Sequence, residues 1–283
     1  MSLRLLVVAS ETPDQQTARR ERSGMASHET YARALLDMVA GCVIEHRSCV
    51  DGRGRSDGED LAGFDGVIFA GSPIQMHEDT SEVREAARFM TSVFEAGVPS
   101  FGSCAGLQIA AVAAGGSVRP REFEMEAGFS RGIVATDPGR GHRMLRDRPG
   151  SWDAPAMHSA VVDRMPAGGT VLARTKDVHV EAAEIRSGAG TFWGVQYHPE
   201  LALWEIADAL GSQAPTLVAQ GLAMIEADID WYATALRDLD AAPDRRDLAW
   251  QLGLDAEVVD KGRRRSEIRA FLEYVSELAV ARA

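Results

Sequence analysis

One stretch, Val98-Pro-Ser-Phe-Gly-Ser-Cys-Ala-Gly-Leu-Gln108, constrains this chain more than any other. An apolar segment over 98–101 passes through Gly102-Ser103-Cys104-Ala105-Gly106 into a run of small residues, 109–114, suited to a helix. A strand that turns into a helix through Gly-x-Cys-x-Gly is the nucleophile-elbow pattern with Cys in place of Ser. Such a turn holds its central residue in a strained conformation, and a Cβ at Gly102 or Gly106 would crowd the adjoining strand and helix. The pattern therefore predicts a thiol displayed at the carboxyl end of a central strand in an open α/β sheet, where ligands of such sheets bind. The following helix N-terminus favours thiolate, lowering the pKa from the ~8.5 of a free cysteine. It also leaves the Ala105 amide free to donate to an oxyanion.

The flanking sequence agrees with that placement. Short apolar runs at 5–9, 42–46, 66–69 and 98–101 alternate with helical patterns at 27–39 and 81–96, which predicts a mostly parallel sheet covered by helices. After Gly116 the texture becomes β-rich, with runs at 133–136, 170–175, 180–185 and 191–197 separated by Gly and Pro turns, as in an antiparallel extension of the sheet. From about residue 201 onward the pattern is helical, with Leu217, Leu222, Ile225, Ile229, Tyr232 and Leu236 forming an apolar stripe. The expected organisation is a catalytic domain over 1–205 and a helical C-terminal segment over 206–283. That segment is expected to pack on the domain, with Trp204 and Trp231 as anchors, and to help recognise a partner or substrate.

An elbow cysteine needs a base. Gly194-Val195-Gln196-Tyr197-His198-Pro199-Glu200 supplies one: a strand ending at Tyr197 would place His198 and Glu200 with the same parity, so that the carboxylate orients the imidazole. Cys104, His198 and Glu200 are the residue types of a nucleophile–base–carboxylate triad.

Together, Phe-Gly-Ser-Cys-Ala-Gly-Leu-Gln, the following Ala114-Gly115-Gly116, and Gly-Val-Gln-Tyr-His-Pro-Glu resemble the class I (triad) glutamine amidotransferases. The resemblance spans roughly residues 5 to 200 and extends to Gly71-Ser72-Pro73, Met157-His158-Ser159 and Met165-Pro166-Ala167-Gly168, similar to the amidotransferase domain of GMP synthetase. It implies a flavodoxin-like fold with Cys104 as nucleophile, His198 as base and then acid, and Glu200 as orienting carboxylate. The oxyanion hole would be the backbone amides of Ser72 and Ala105, and the glutamine would be held at Gln108, Gly71, His158 and Ser159. Where the family often carries Tyr, Leu or Trp, this chain has Ala105, and where Gly or Asp is common it has Ser159, so the pocket walls differ.

The implied chemistry is hydrolysis of the glutamine side-chain amide through a γ-glutamyl thioester, giving glutamate and ammonia with no cofactor. No Ser-Gly-Gly-x-Asp-Ser nucleotide loop is present in the sequence, so the ammonia acceptor is expected on a separate synthetase subunit. The alternatives are a stand-alone hydrolase of γ-glutamyl amides or peptides, and a non-catalytic binding protein of the same fold.

Composition excludes other classes. Thirty Lys and Arg against 42 Asp and Glu give a net charge of −12, which repels phosphate backbones and anionic lipid, so neither nucleic acid nor membrane is an expected partner. Cys42, Cys49 and Cys104 form no CxxC pair, which suits a reducing cytoplasm. The first residues lack a signal-peptide core and read as a buried strand. The histidines at 28, 46, 77, 142, 158 and 179 have no metal-ligand spacing, and no metal site is expected. Arg263-Arg264-Arg265 reads as a solvated helix face, the five tryptophans as packing residues, and residues 139–142 as a turn.

Overall fold

The computed structural model describes residues 2–52, 58–122 and 124–282. In chain order the first half runs β1 (Arg4–Ala9), α1 (Pro13–Ser23), α2 (Ser27–Met38), β2 (Val43–Ser48), α3 (Gly58–Leu61), β3 (Gly66–Phe69), α4 (Ser81–Glu95), β4 (Ser100–Ser103) and α5 (Ala105–Ala113). The β-rich half follows as β5 (Ser117–Pro120), β6 (Glu126–Ala135), α6 (Asp137–Arg140), β7 (Trp152–His158), β8 (Ala160–Arg164), β9 (Gly169–Arg174), β10 (Ala182–Ser187) and β11 (Gly190–Val195). The chain then becomes helical: α7 (Leu203–Ser212), α8 (Ala214–Ala219), α9 (Glu226–Ala241), α10 (Arg246–Leu252), α11 (Ala256–Val259), α12 (Lys261–Arg264) and α13 (Ser266–Arg282).

The sheet order is β2-β1-β3-β4-β11-β10-β9-β6-β7, with β5 and β8 paired separately. The first five strands are mutually parallel and the remaining pairings are antiparallel. This is the α/β fold expected from the sequence: a parallel half with an antiparallel extension. The β4 strand lies between β3 and β11, so whatever follows it emerges at the middle of the parallel half.

Alternation along β1 builds two cores. Leu6 and Val8 face one side with Phe69, Phe89, Met90, Leu107 and Ile109, where α4 and α5 pack. Leu5 and Val7 face the other side with Tyr31 and Leu35 of α2 and with Ile268, Phe271 and Val275 of α13. Each such side chain contributes about 1.5–3 kcal/mol on burial, so α13 is a structural wall of the sheet. Its approach is close enough that a Cβ on Gly66 would lie 3.3 Å from Val275 Cγ1 and 3.4 Å from Phe271 Cε1. A third core joins Phe129 to Ile206, Leu210, Leu217, Ile229, Leu236 and Leu239.

Several expectations are corrected here. The apolar stripe over 217–236 is not one helix face: the chain turns at Gly221, φ 77°, between α8 and α9, and Leu222 and Ile225 are exposed while Leu217, Ile229 and Leu236 are buried. Trp152 and Trp193 are core residues, but Trp231 and Trp250 are exposed, so Trp231 is not a buried anchor. Arg264 and Arg265 are buried, not solvated; the Arg264 guanidinium donates to the carbonyl of Val258 at the end of α11, and Arg265 reaches Asp37 at 3.4 Å. Residues 137–140 form one helical turn capped by Thr136. Among the described residues no helix is long and apolar enough to cross a membrane.

Candidate active site

At the end of β4 the chain reverses through Cys104, whose φ of 50° and ψ of −105° make it the one positive-φ residue other than glycine among the described residues. Such a conformation costs about 1–3 kcal/mol and persists only where its surroundings enforce it. Both neighbouring glycines show how. A Cβ on Gly106 would sit 2.8 Å from the Phe69 carbonyl oxygen and 3.0 Å from Phe69 Cβ, and one on Gly102 would meet Gly106 Cα at 3.0 Å. The amide of Cys104 donates to the carbonyl of Val195 at 2.8 Å, tying the elbow to the end of β11. Ala105 is the first residue of α5, so its N–H has no acceptor within the helix.

Beyond β11 the chain carries an imidazole, that of His198, into the cleft that Cys104 lines. The strand stops at Val195, so the parity expected for His198 and Glu200 along a continuing strand does not apply. A loop does the work instead, pinned where Gln196 N–H donates to Glu181 O at 2.8 Å and His198 N–H to Pro155 O at 2.7 Å. The His198 Nδ1 lies 2.7 Å from Glu200 Oε1, which also accepts from Ser103 Oγ at 3.1 Å. Burial acts to lower the His198 pKa, but the charge of Glu200, then the hydrogen bond and charge of Cys104, push it up to about 10. The net effect favours the charged form of the ring.

Gly71 makes room for this ring. A Cβ there would stand 2.6 Å from His198 Cε1.

These groups open on a cleft of about 460 Å³. Gly71, Ser72, Cys104, Gln108, His158, Ser159 and His198 all line it, with Glu200 buried behind His198. The Gln108 carboxamide donates to Ala160 O at 2.9 Å and to Gln196 Oε1 at 3.3 Å, so protein groups fix its orientation. His158 is fully enclosed, 2.8 Å from Glu126 Oε2; burial lowers its pKa while Glu126 acts to raise it. Among the described residues no group of three His, Cys, Asp or Glu side chains could hold a metal ion.

One wall went unread in the sequence. Glu11 and, from α1, Gln15, Ala18, Arg19 and Arg22 also line the cleft. The α1 helix buries none of its residues, so it leaves no apolar periodicity to detect. Its signal is at its start: Thr12-Pro13-Asp14-Gln15 is a capping box with Pro at N1, in which Thr12 Oγ1 accepts from Gln15 N–H at 3.3 Å and Gln15 Oε1 from Thr12 N–H at 2.9 Å.

Residues 43–209 match the family Glutamine amidotransferase class-I. A Pseudomonas protein named gamma-glutamyl-L-1-hydroxyisopropylamide hydrolase is 39% identical over 164 residues, 57% of this chain and 55% of that protein. The GMP synthase [glutamine-hydrolyzing] of Leifsonia xyli is 32% identical over 136 residues, 48% of this chain and 26% of the synthase. The aligned part thus spans between a quarter and just over half the length of these relatives. Among solved structures, a glutamine amidotransferase from Thermotoga maritima shares the fold with a TM-score of 0.64 at 13% identity, covering 97% of this chain and 98% of that one. One from Methylobacillus flagellatus does so with a TM-score of 0.60 at 16% identity, covering 95% and 96%.

Proposed function

The chain belongs to the class I glutamine amidotransferase family, and from that premise we propose that it is a free-standing hydrolase of γ-glutamyl amides. The observation that carries the reading is the strained Cys104 at the elbow, in one cleft with an imidazole bonded to Glu200, the cleft being large enough for a small amide. The catalytic unit is residues 1–205, and the helical segment 206–283 covers it; Glu267 of α13 accepts from the hydroxyl of Tyr197, next to His198, at 2.7 Å.

In this reading the Cys104 thiolate attacks the δ-carbon of the γ-glutamyl amide, and the carbonyl electron pair moves onto oxygen. The backbone N–H groups of Ala105 and Ser72 hold that oxyanion. Collapse breaks the C–N bond as His198 gives its proton to the leaving amine, and a γ-glutamyl thioester remains. The now neutral His198 takes a proton from water, whose oxygen attacks the thioester. The C–S bond breaks, glutamate leaves, and the thiolate–imidazolium pair is restored. Gly71, Gln108, His158 and Ser159 form the wall for the glutamyl part, and Glu200 keeps Nδ1 of His198 protonated so that Nε2 exchanges the proton.

The likeness to the Pseudomonas γ-glutamyl amide hydrolase supports a leaving amine larger than ammonia. The likeness to GMP synthases favours a second reading, in which glutamine is the substrate and ammonia passes to a separate synthetase subunit. Steady-state rates on the purified chain alone separate the two. A kcat/KM for γ-glutamylethylamide well above that for glutamine supports the hydrolase. Weak glutamine turnover that rises when a co-purified synthetase is added supports the second reading, and rates unchanged by Cys104→Ala overturn both.

A further inference from the structure

The α1 helix brings two guanidinium groups, those of Arg19 and Arg22, to the cleft. Arg19 donates from Nε to the carbonyl of Met25 at 3.3 Å, and Arg22 is exposed; neither has an ion-pair partner among the described residues. Their neighbour Arg20 does, through Nε to Glu29 Oε1 at 2.9 Å. In a chain of net charge −12, leaving Arg19 and Arg22 uncommitted along a substrate cleft favours an anion there. Glu11, in the same wall, forms an ion pair with neither: it is buried, with Oε2 accepting from Ser27 N–H at 2.9 Å at the first turn of α2.

Position says which part of the substrate that anion belongs to. The elbow, the Gly71 loop, His158 and His198 lie within residues 43–209, which the family model matches, and would hold the part of the substrate common to the family, the γ-glutamyl group. The α1 residues of the cleft lie outside that match, and in this reading they are left to the part that differs, the amine.

We infer that Arg19 and Arg22 form a subsite for a carboxylate on the leaving amine, so that the preferred substrates are γ-glutamyl amides of amino acids. This rests on the γ-glutamyl hydrolase reading and narrows it. A guanidinium binds carboxylate by charge-assisted, often bidentate hydrogen bonds, strong enough for about tenfold discrimination or more.

The test compares γ-glutamylglycine with γ-glutamylethylamide, which are of similar size and differ in that carboxylate. The full chain should favour γ-glutamylglycine in kcat/KM, and Arg19→Gln/Arg22→Gln should lower that substrate's kcat/KM at least tenfold more than it lowers the ethylamide's. Equal losses on both would mean the arginines hold the α-carboxylate of the glutamyl group and would overturn the inference, as would no loss on either. Calorimetric binding of the same two compounds to Cys104→Ala keeps the subsite testable apart from the chemistry. Tighter binding of γ-glutamylglycine, abolished by the double substitution, supports the subsite even where no amide is turned over and the hydrolase reading fails. Equal affinities overturn it.

Discussion

Replacing Gly71 by Ala should damage catalysis far more than folding. The new methyl would stand 2.6 Å from His198 Cε1, where ordinary contact begins at 3.4 Å, so the ring must retreat by at least ~0.8 Å. The retreat is opposed by the 2.7 Å bond from Nδ1 to Glu200, whose Oε1 is also held by Ser103. Displacing a reacting group by about 1 Å costs on the order of 10²-fold in rate, whereas one methyl of overpacking costs about 1–3 kcal/mol of stability. Gly71 has no positive φ, so the backbone accepts alanine. The expected result is kcat/KM on γ-glutamylethylamide reduced about 100-fold, with a cooperative melt lowered by several degrees. Gly106→Ala, whose methyl would press on the backbone of Phe69 at 2.8 Å beneath the elbow, should lose stability and activity together. A Gly71→Ala protein within threefold of wild type in kcat/KM, with the His198–Glu200 distance unchanged in its crystal structure, would refute the argument that this ring position carries the reaction.

Three further outcomes are expected. Cys104→Ala and Cys104→Ser should abolish turnover and leave the fold intact, while Cys42→Ala is silent; Cys104→Gly should also be inactive but melt slightly higher, because relief of about 1–3 kcal/mol of backbone strain exceeds the ~0.5–1 kcal/mol entropy cost of glycine, and a lower melting temperature would contradict that strain. His198, lowered by burial but raised by Glu200 and Cys104 to about 10, contributes stability that is complete below its unfolded value of ~6.5 and is lost as pH rises through about 10. The alkaline limb of kcat/KM should therefore fall near pH 10 and move to lower pH in Glu200→Gln, where only Cys104 is left to oppose burial; an unmoved limb in a pH–rate profile would count against the charge pairing. Deleting residues after Leu210 removes Phe271 and Val275 from the core of the sheet, so light scattering should report aggregation, and a soluble, monomeric, fully active truncation would show α13 to be dispensable.

Much of the fold was legible because its determinants are local. The apolar run of β1 has to be buried on both faces, and the 3.6-residue spacing in α2, α4 and α13 marks each buried stripe. The helix α1 was not legible in that way, since a polar helix with no buried side chain has no periodicity to report, and only its Thr12–Gln15 cap betrays it. Exposed Trp231 and buried Arg264 fail for a related reason. Hydropathy assigns a preference to a residue type, whereas burial depends on what the rest of the chain places over it.

What the sequence determined by itself was the elbow. Gly102, Cys104 and Gly106 specify a backbone turn whose steric demands lie within a few residues, so strand, turn and helix follow from that stretch alone. Only the tertiary structure decided that His198 and Cys104 line one cleft, through β11 pairing beside β4 and a loop pinned to Glu181 and Pro155, and that Gly71 leaves space for the ring. Likewise the α1 wall joins the cleft, and α13 reaches Tyr197, by packing between segments far apart in the chain. Turn chemistry is a short-range property of covalent geometry; the meeting of distant side chains depends on sheet order and register, which no local pattern encodes.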